Sequence, residues 1–160
     1  MIKIRKATLK DVPVLVKLWK EFEDEHDEMV IKENLVMKPL FKYKPNAMVI
    51  CKKSLRKTIS KTGFVFIAEE NKKAVGFLEG TIKKPELTSN RIGFISEIFV
   101  RREYRGMGIS SKLKDKAIFF FKKNGVKFGE IHVNVHNREA HNIYRKWGFF
   151  EDGIRLLKKL

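Results

Sequence analysis

Hydrophobic and polar positions alternate with a period of two over residues 2–7, which predicts a strand, and the period then changes. Val12, Leu15, Trp19 and Phe22 recur at helical spacing, with Pro13 in the first turn and Asp11 placed to cap it. Pro39 and Pro45 interrupt residues 30–61, predicting a loop and then a helix. In that helix Met48, Cys51, Leu55 and Ile59 form an apolar stripe opposite Lys52, Lys53, Arg56, Lys57 and Lys61. Residues 64–68 and 74–82 read as two strands joined as a hairpin across 70–73. A polar loop at 85–90 precedes a third strand over 91–100. Ile109, Leu113, Ala117, Phe120 and Phe121 mark a helix that Asn124-Gly125 ends with a left-handed cap. A strand over 128–135, a short helix over 138–147 stopped by Gly148, and one or two edge strands over 149–160 complete the pattern. With no repeat or linker, the chain reads as a single α+β domain over residues 1–160.

Composition narrows the setting. The 160 residues are 43% hydrophobic with 13 Phe, enough for one core and too apolar for a disordered basic tail. No apolar run exceeds five residues, so no membrane span is expected, and Met1–Arg5 lacks the apolar stretch of a signal peptide. The lone Cys51 cannot form an internal disulfide and reads as a packed thiol. A soluble, cytoplasmic protein is the expectation.

Charge brings in ligands. The net charge of +16 raises nucleic acid, an anionic membrane surface or a phosphate-rich ligand as partners. The excess is 26 Lys against 9 Arg, which favours a solvated surface, because Arg is the better bidentate reader of phosphates and bases. Against that background Glu21, Glu23, Asp24, Glu25, Asp27 and Glu28 place six acids within eight residues.

The segment 95–111 carries the most specific chemistry. A strand ending Ile98-Phe99-Val100 runs through Arg101-Arg102 into Arg105-Gly106-Met107-Gly108-Ile109-Ser110-Ser111, which opens a helix. Glycines let a backbone approach a ligand, and the N–H groups of a helix start favour an anion. A phosphate or pyrophosphate is the natural guest, although the spacing is neither that of a Walker loop nor that of a dinucleotide fingerprint.

The Arg-Gly-x-Gly turn after this strand end resembles the signature of the GNAT superfamily of acyl-CoA-dependent N-acetyltransferases, with Ser110 where that family usually has Gly or Ala. A second segment, Asn137-x-x-Ala140-x-x-x-Tyr144-x-x-x-Gly148-Phe149, is similar to another motif of the same family. The opening Arg5-Lys-Ala-Thr8 with Asp11, and Ala74-Val-Gly-Phe77, agree more weakly. The resemblance implies a central, mostly antiparallel twisted sheet of six to seven strands flanked by about four helices, its strands splayed at the cofactor site. It implies acetyl-CoA as cosubstrate, with the amides of Arg105, Gly106, Met107, Gly108, Ile109, Ser110 and Ser111 on the pyrophosphate. The backbone of Ile98, Phe99 and Val100, together with Asn137, would hold the pantetheine arm. Tyr144 would protonate the leaving thiolate.

For the base, two residues remain open: Glu97, an acid in an apolar strand, and His132, where some relatives carry Glu. His132 and His136 lie four apart on a predicted strand, about 13 Å by its rise, so zinc is rejected and no metal is expected. In this family the first helix and the following loop border the acceptor, which turns the acidic segment 21–28 toward a cationic amine: a polyamine, a lysine or a protein N-terminus. A homodimer is admitted and nucleic acid disfavoured. Two alternatives stand: a basic nucleic-acid- or ribosome-binding module on this scaffold, whose Phe64, Phe66 and Phe119–Phe121 nonetheless read as core, or an enzyme using a longer acyl-CoA.

Overall fold

The period-two opening forms strand β1 (Ile2–Lys6) in a computed structural model that describes residues 1–87 and 89–158. The first long helix, α1 (Val12–Glu33), is entered through a single 3-10 turn at Leu9–Asp11. Thr8, not Asp11, is the N-cap: its N–H and hydroxyl donate to Asp11 Oδ2 at 2.7 and 2.9 Å in a capping box. Arg5 donates to both oxygens of Asp11 at 2.9 and 2.6 Å and to Glu69 at 2.6 Å, fastening β1, the helix start and β2. The bonds from Arg5 hold the Asp11 carboxyl well below the usual carboxylate range.

Helix α1 runs eleven residues past Phe22, because the acids that follow are tolerated in a helix and no Gly or Pro intervenes before Asn34. A 3-10 segment (Leu35–Phe41), helix α2 (Ala47–Lys57) and one π turn (Thr58–Thr62) then lead to the sheet. Strands β2 (Gly63–Glu70) and β3 (Lys73–Lys83) meet across Asn71 and Lys72 at φ 49° and 65°, the two left-handed positions of a type I′ hairpin. Strand β4 (Ile92–Val100), helix α3 (Ile109–Lys123), strand β5 (Phe128–Ile131) and helix α4 (Arg138–Lys146) complete the described elements. The strand order is β1-β2-β3-β4-β5, antiparallel except for the parallel β4–β5 pair.

Contacts divide the chain into two units, Met1–Phe22 with Pro45–His132, and Glu23–Lys44 with Val133–Leu160. In the first, each face of the sheet is covered. Phe64, Phe66, Leu78 and Ile95 pack against Ile109, Leu113, Ala117 and Phe121 of α3. On the other face Val65, Ile67, Phe77 and Phe99 pack against Val12, Leu15 and Leu18 of α1 and Cys51 and Leu55 of α2. Cys51 is therefore a packed thiol, as its stripe predicts. In the second unit Val30 is fully buried, and Tyr144 stacks on Trp147 with centroids 5.4 Å apart.

Four further expectations change. The described sheet has five strands, not six or seven. The strand predicted over 128–135 ends at Ile131, because Asn134 turns the chain: its side chain accepts from His136 N at 3.0 Å and its carbonyl from Asn137 N at 2.8 Å. Residues 149–158 form no strand; Glu151 is instead held by His141 and Arg145 of α4 at 2.9 and 3.6 Å. Residues 159–160 of that expectation lie outside the described residues. Phe119 also leaves the expected core, 67% exposed beside the buried Phe121.

Gly93 marks how closely α3 rides on β4, since a Cβ there would sit 2.5 Å from the Phe121 ring. Gly93→Ala should destabilise the protein by about 1–3 kcal/mol in urea unfolding, with the slope unchanged.

Candidate active site

The site begins with a mismatch in the β3–β4 ladder. Glu79 pairs with Glu97, but the next residue, Gly80, pairs with Ile95, so Ser96 is an extra residue and forms a bulge. Its hydroxyl donates to the Glu79 carbonyl at 3.2 Å. A bulge reverses the alternation of side chains beyond it. Ile95 thus packs on the α3 side, whereas Phe99, four residues on, packs on the α1–α2 side. Glu97 shares the phase of Phe99.

The same bulge marks where β4 loses its parallel neighbour. Pairing of β4 with β5 runs from Ile92↔Phe128 to Ile95↔Ile131 and, among the described residues, goes no further. Residues 98–100 remain paired to β3 through Leu78↔Ile98, Phe77↔Phe99 and Gly76↔Val100. The opposite backbone edge of this stretch has no neighbouring strand among the described residues, although the Val100 carbonyl accepts from Arg105 Nε at 2.9 Å.

At the end of that stretch the chain turns through Arg102–Tyr104 and two left-handed glycines, Gly106 (φ 77°) and Gly108 (φ 72°), before α3. Gly108 is the N-cap, and helix geometry leaves the N–H groups of Ile109 and Ser110 without a carbonyl one turn behind. A Cβ built at either glycine meets nothing within 4 Å, so the turn borders open space. Arg105 does not reach outward at Nε, which donates to the Val100 carbonyl at 2.9 Å while the guanidinium lies 5.8 Å from the Phe99 ring. Arg101, grouped in the sequence with the phosphate-binding cations, is engaged elsewhere. Its Nε and NH2 grip the two oxygens of Glu21 at 2.7 Å each, and NH1 donates to the Ala74 carbonyl at 3.0 Å. The bonds from Glu21 raise the Arg101 pKa further.

Ile98–Val100 and Arg105–Ser111 thus lie along one strand, turn and helix start in the first unit, with Glu97 on the same strand. His132 ends this unit, its side chain 70% exposed, with Nε2 2.7 Å from Glu130 Oε1 and its ring edge-on to Phe94. Burial opposes ionisation of Glu130, yet bonds from Lys83 and His132 hold it below the ordinary range. The strand geometry used to separate His132 from His136 does not exist, since β5 stops at Ile131 and His136 sits in a turn.

Asn137 and Tyr144 belong to the second unit. Asn137 is the N-cap of α4, its Oδ1 accepting from Ala140 N at 3.0 Å. The small Ala140 lies one turn before Tyr144, whose phenol burial pushes up to about 12. In the same unit Tyr43 donates to Glu23 at 2.7 Å, and burial with the bonds to Glu23 and Asp27 raises its pKa strongly. Glu23, His26 and Asp27, one turn of α1, are a group among the described residues whose ligand atoms lie within 4.8 Å of one another and could hold a metal ion. The sequence reading, which weighed metal only at His132 and His136, did not bring them together.

Sequence reasoning also missed Glu79 and Thr58. Thr58 Oγ1 donates to Glu79 Oε1 at 2.6 Å, and burial raises the Glu79 carboxyl while this bond opposes the rise. A charged residue in the middle of the apolar run Ala74–Ile82 was the available signal.

Comparison with known proteins follows the same outline. The model of the Acetyltransferase (GNAT) family matches residues 18–149. An uncharacterized N-acetyltransferase of Methanocaldococcus jannaschii is 35% identical over 106 residues, 59% of this chain and 45% of that protein. N-alpha-acetyltransferase 30 of Schizosaccharomyces pombe is 30% identical over 89 residues, 54% of this chain and 57% of its own. The chain spans about half the length of the curated relatives it matches. Among solved structures, a Bacillus halodurans protein superposes with a TM-score of 0.81 at 19% identity, covering 99% of both chains. An aminoglycoside N-acetyltransferase in complex with CoA superposes with a TM-score of 0.73 at 16% identity, covering 100% of this chain and 95% of that one. Among the described residues, no helix is long and apolar enough to cross a membrane.

The Arg101–Glu21 clamp ties the end of β4 to α1 and should be energetically coupled. In a double-mutant cycle of Arg101→Ala and Glu21→Gln, the coupling measured by chemical denaturation should be about 1 kcal/mol, and the double variant should lose less than the two single losses combined.

Proposed function

The chain belongs to the GNAT family of acetyltransferases, and from that premise we propose that it transfers the acetyl group of acetyl-CoA to a primary amine. The observation that carries the reading is the continuous path from the edge of Ile98–Val100 without a strand neighbour into the left-handed turn Gly106–Gly108 and the start of α3. Open space beside both glycine α-carbons leaves a cradle that side chains would fill, and this fits a pyrophosphate held by backbone N–H groups. The amides of Gly106–Ser111 would hold it, and the peptide groups of Ile98–Val100 and the side chain of Asn137 would align the arm. Acetyl-CoA supplies the acetyl group as an activated thioester.

Glu97 is the residue proposed to take the proton from the incoming ammonium, directly or through one water, so that a neutral nitrogen attacks the carbonyl carbon. Its place in an otherwise apolar strand, in the phase of the buried Phe99, supports this role over the exposed His132. As the new N–C bond forms, the C–S bond breaks, and Tyr144 Oη gives its proton to the sulfur. A phenol raised to about 12 remains protonated across the physiological range and so retains the proton it must deliver.

The acceptor proposed is an amine carrying a second positive charge. The acidic stretch of α1 supports it, less Glu21, whose carboxylate is occupied by Arg101. Glu23, Asp24, Asp27 and Glu28 supply the field.

Tyr144→Phe should lower kcat by about 10²-fold or more in a CoA-thiol release assay while leaving the KM for acetyl-CoA within a few-fold. Because the folded phenol titrates at about 12, the wild-type rate should show no alkaline fall attributable to Tyr144 below about pH 10. Full activity in the variant would remove Tyr144 from the reaction. In a panel of spermidine, basic peptides and neutral amines, Glu23→Gln with Asp24→Asn and Glu28→Gln should raise KM for the dications more than for the neutral amines. Equal and unchanged rates across the panel would overturn the cationic-acceptor reading.

A further inference from the structure

Half of the formal charge excess sits in one segment. Between Glu33 and Glu69 the chain holds no Asp or Glu, yet it carries 8 Lys and Arg of a net +16. Helix α2 lies within that segment. Its buried Cys51 and Leu55 pack into the core on the α1 side of the sheet. At about 3.6 residues per turn, Lys53, Arg56 and Lys57 stand on the side of the helix away from those two residues, with Lys52 at its edge. All four are exposed, and among the described residues none of them pairs with a carboxylate, in contrast to Arg5 and Arg101.

The first turn of the same helix is apolar and half in water. Met48, Val49 and Ile50 are 40%, 53% and 48% exposed. Val49 is one turn before Lys52 and Lys53, and Ile50 is one turn before Lys53, so the apolar turn and the basic turns form one continuous surface. The helix has 11 residues. That is a length of about 16 Å, far short of the roughly 30 Å of a bilayer's hydrocarbon core.

Unpaired cations alone suit any polyanion, and the apolar turn decides between the kinds. A nucleic acid offers phosphates and base faces, which are best met by Arg forks and aromatic platforms. Helix α2 has three Lys to one Arg and no aromatic residue. An anionic bilayer offers phosphates in its headgroup layer and an apolar phase directly beneath, with Lys stems able to lie along the boundary. We propose that α2 is a docking surface for an anionic lipid bilayer. The helix lies in the interface, with Met48, Val49 and Ile50 below the headgroups and Lys52, Lys53, Arg56 and Lys57 among the phosphates. This inference does not rest on the acetyltransferase reading.

Co-sedimentation of the full chain with vesicles tests it. The protein should bind vesicles of equal parts phosphatidylglycerol and phosphatidylcholine, bind phosphatidylcholine alone far more weakly, and lose binding as salt rises. Lys52→Gln with Lys53→Gln should lower the partition coefficient about 30-fold at low salt, since each cation near such a surface is worth about fivefold. Lys122→Gln with Lys123→Gln removes the same charge from α3, on the other face of the sheet, and should lower it by no more than about threefold. Val49→Ser with Ile50→Ser should lower it about tenfold while leaving any binding to single-stranded RNA unchanged. Circular dichroism melts identify the variants that fold, and thiol release measured without vesicles should be the same in both α2 variants as in the wild type. Binding no tighter to the mixed vesicles than to phosphatidylcholine would overturn the inference. So would equal losses from the two lysine pairs, an unchanged partition in the folded Val49/Ile50 variant, or binding to RNA without binding to the mixed vesicles.

Discussion

One surplus residue in the β3–β4 ladder governs the geometry of this protein. Ser96 has no partner on β3, and every side chain beyond it therefore stands on the opposite face from the one simple alternation assigns. Ile95 and Phe99 belong to different cores for this reason, although both are odd-numbered positions of one strand. The bulge also coincides with the end of the parallel ladder to β5, so the stretch to Val100 keeps one edge paired and leaves the other without a strand neighbour among the described residues. A strand paired on one edge and without a strand neighbour on the other is a suitable support for a ligand's amide groups, because its peptide groups are already aligned.

Electrostatics follow the same economy of position. The net charge of +16 does not act as a uniform field. Arg5 is spent on Asp11 and Glu69 to hold the helix entry against the sheet, and Arg101 is spent on Glu21 and a carbonyl to hold the end of β4. The proposed anion at the turn would meet backbone as well as cations: glycine-permitted N–H groups at a helix start are fixed dipoles with no side-chain entropy to lose.

Much of the fold was legible because local signals agreed with tertiary ones. The Asn71-Lys72 hairpin, the stripe of α3 and the glycine stops after Asn124 and Trp147 all stand where the pattern placed them, since each is decided within a few residues. Boundaries set by distant partners were not legible. Helix α1 outran its apolar stripe because nothing in the acidic stretch stops a helix, and β5 stopped short because Asn134 turned the chain. The C-terminal apolar residues found no strand partner, and Glu151 is tied to α4 instead.

The sequence by itself determined the opening strand, the β2–β3 hairpin, the helices α1 to α4 and the glycine turn, because propensity, capping and positive-φ requirements are local. It also indicated the family, through two motifs in the right order. Only the tertiary structure decided where charges go. The pairing of Arg101 with Glu21 spans eighty positions, and the opposition of Glu79 to Glu97 depends on an inter-strand register that no single strand encodes. A bulge is a property of two strands at once: the extra residue is defined only by the partner it fails to meet.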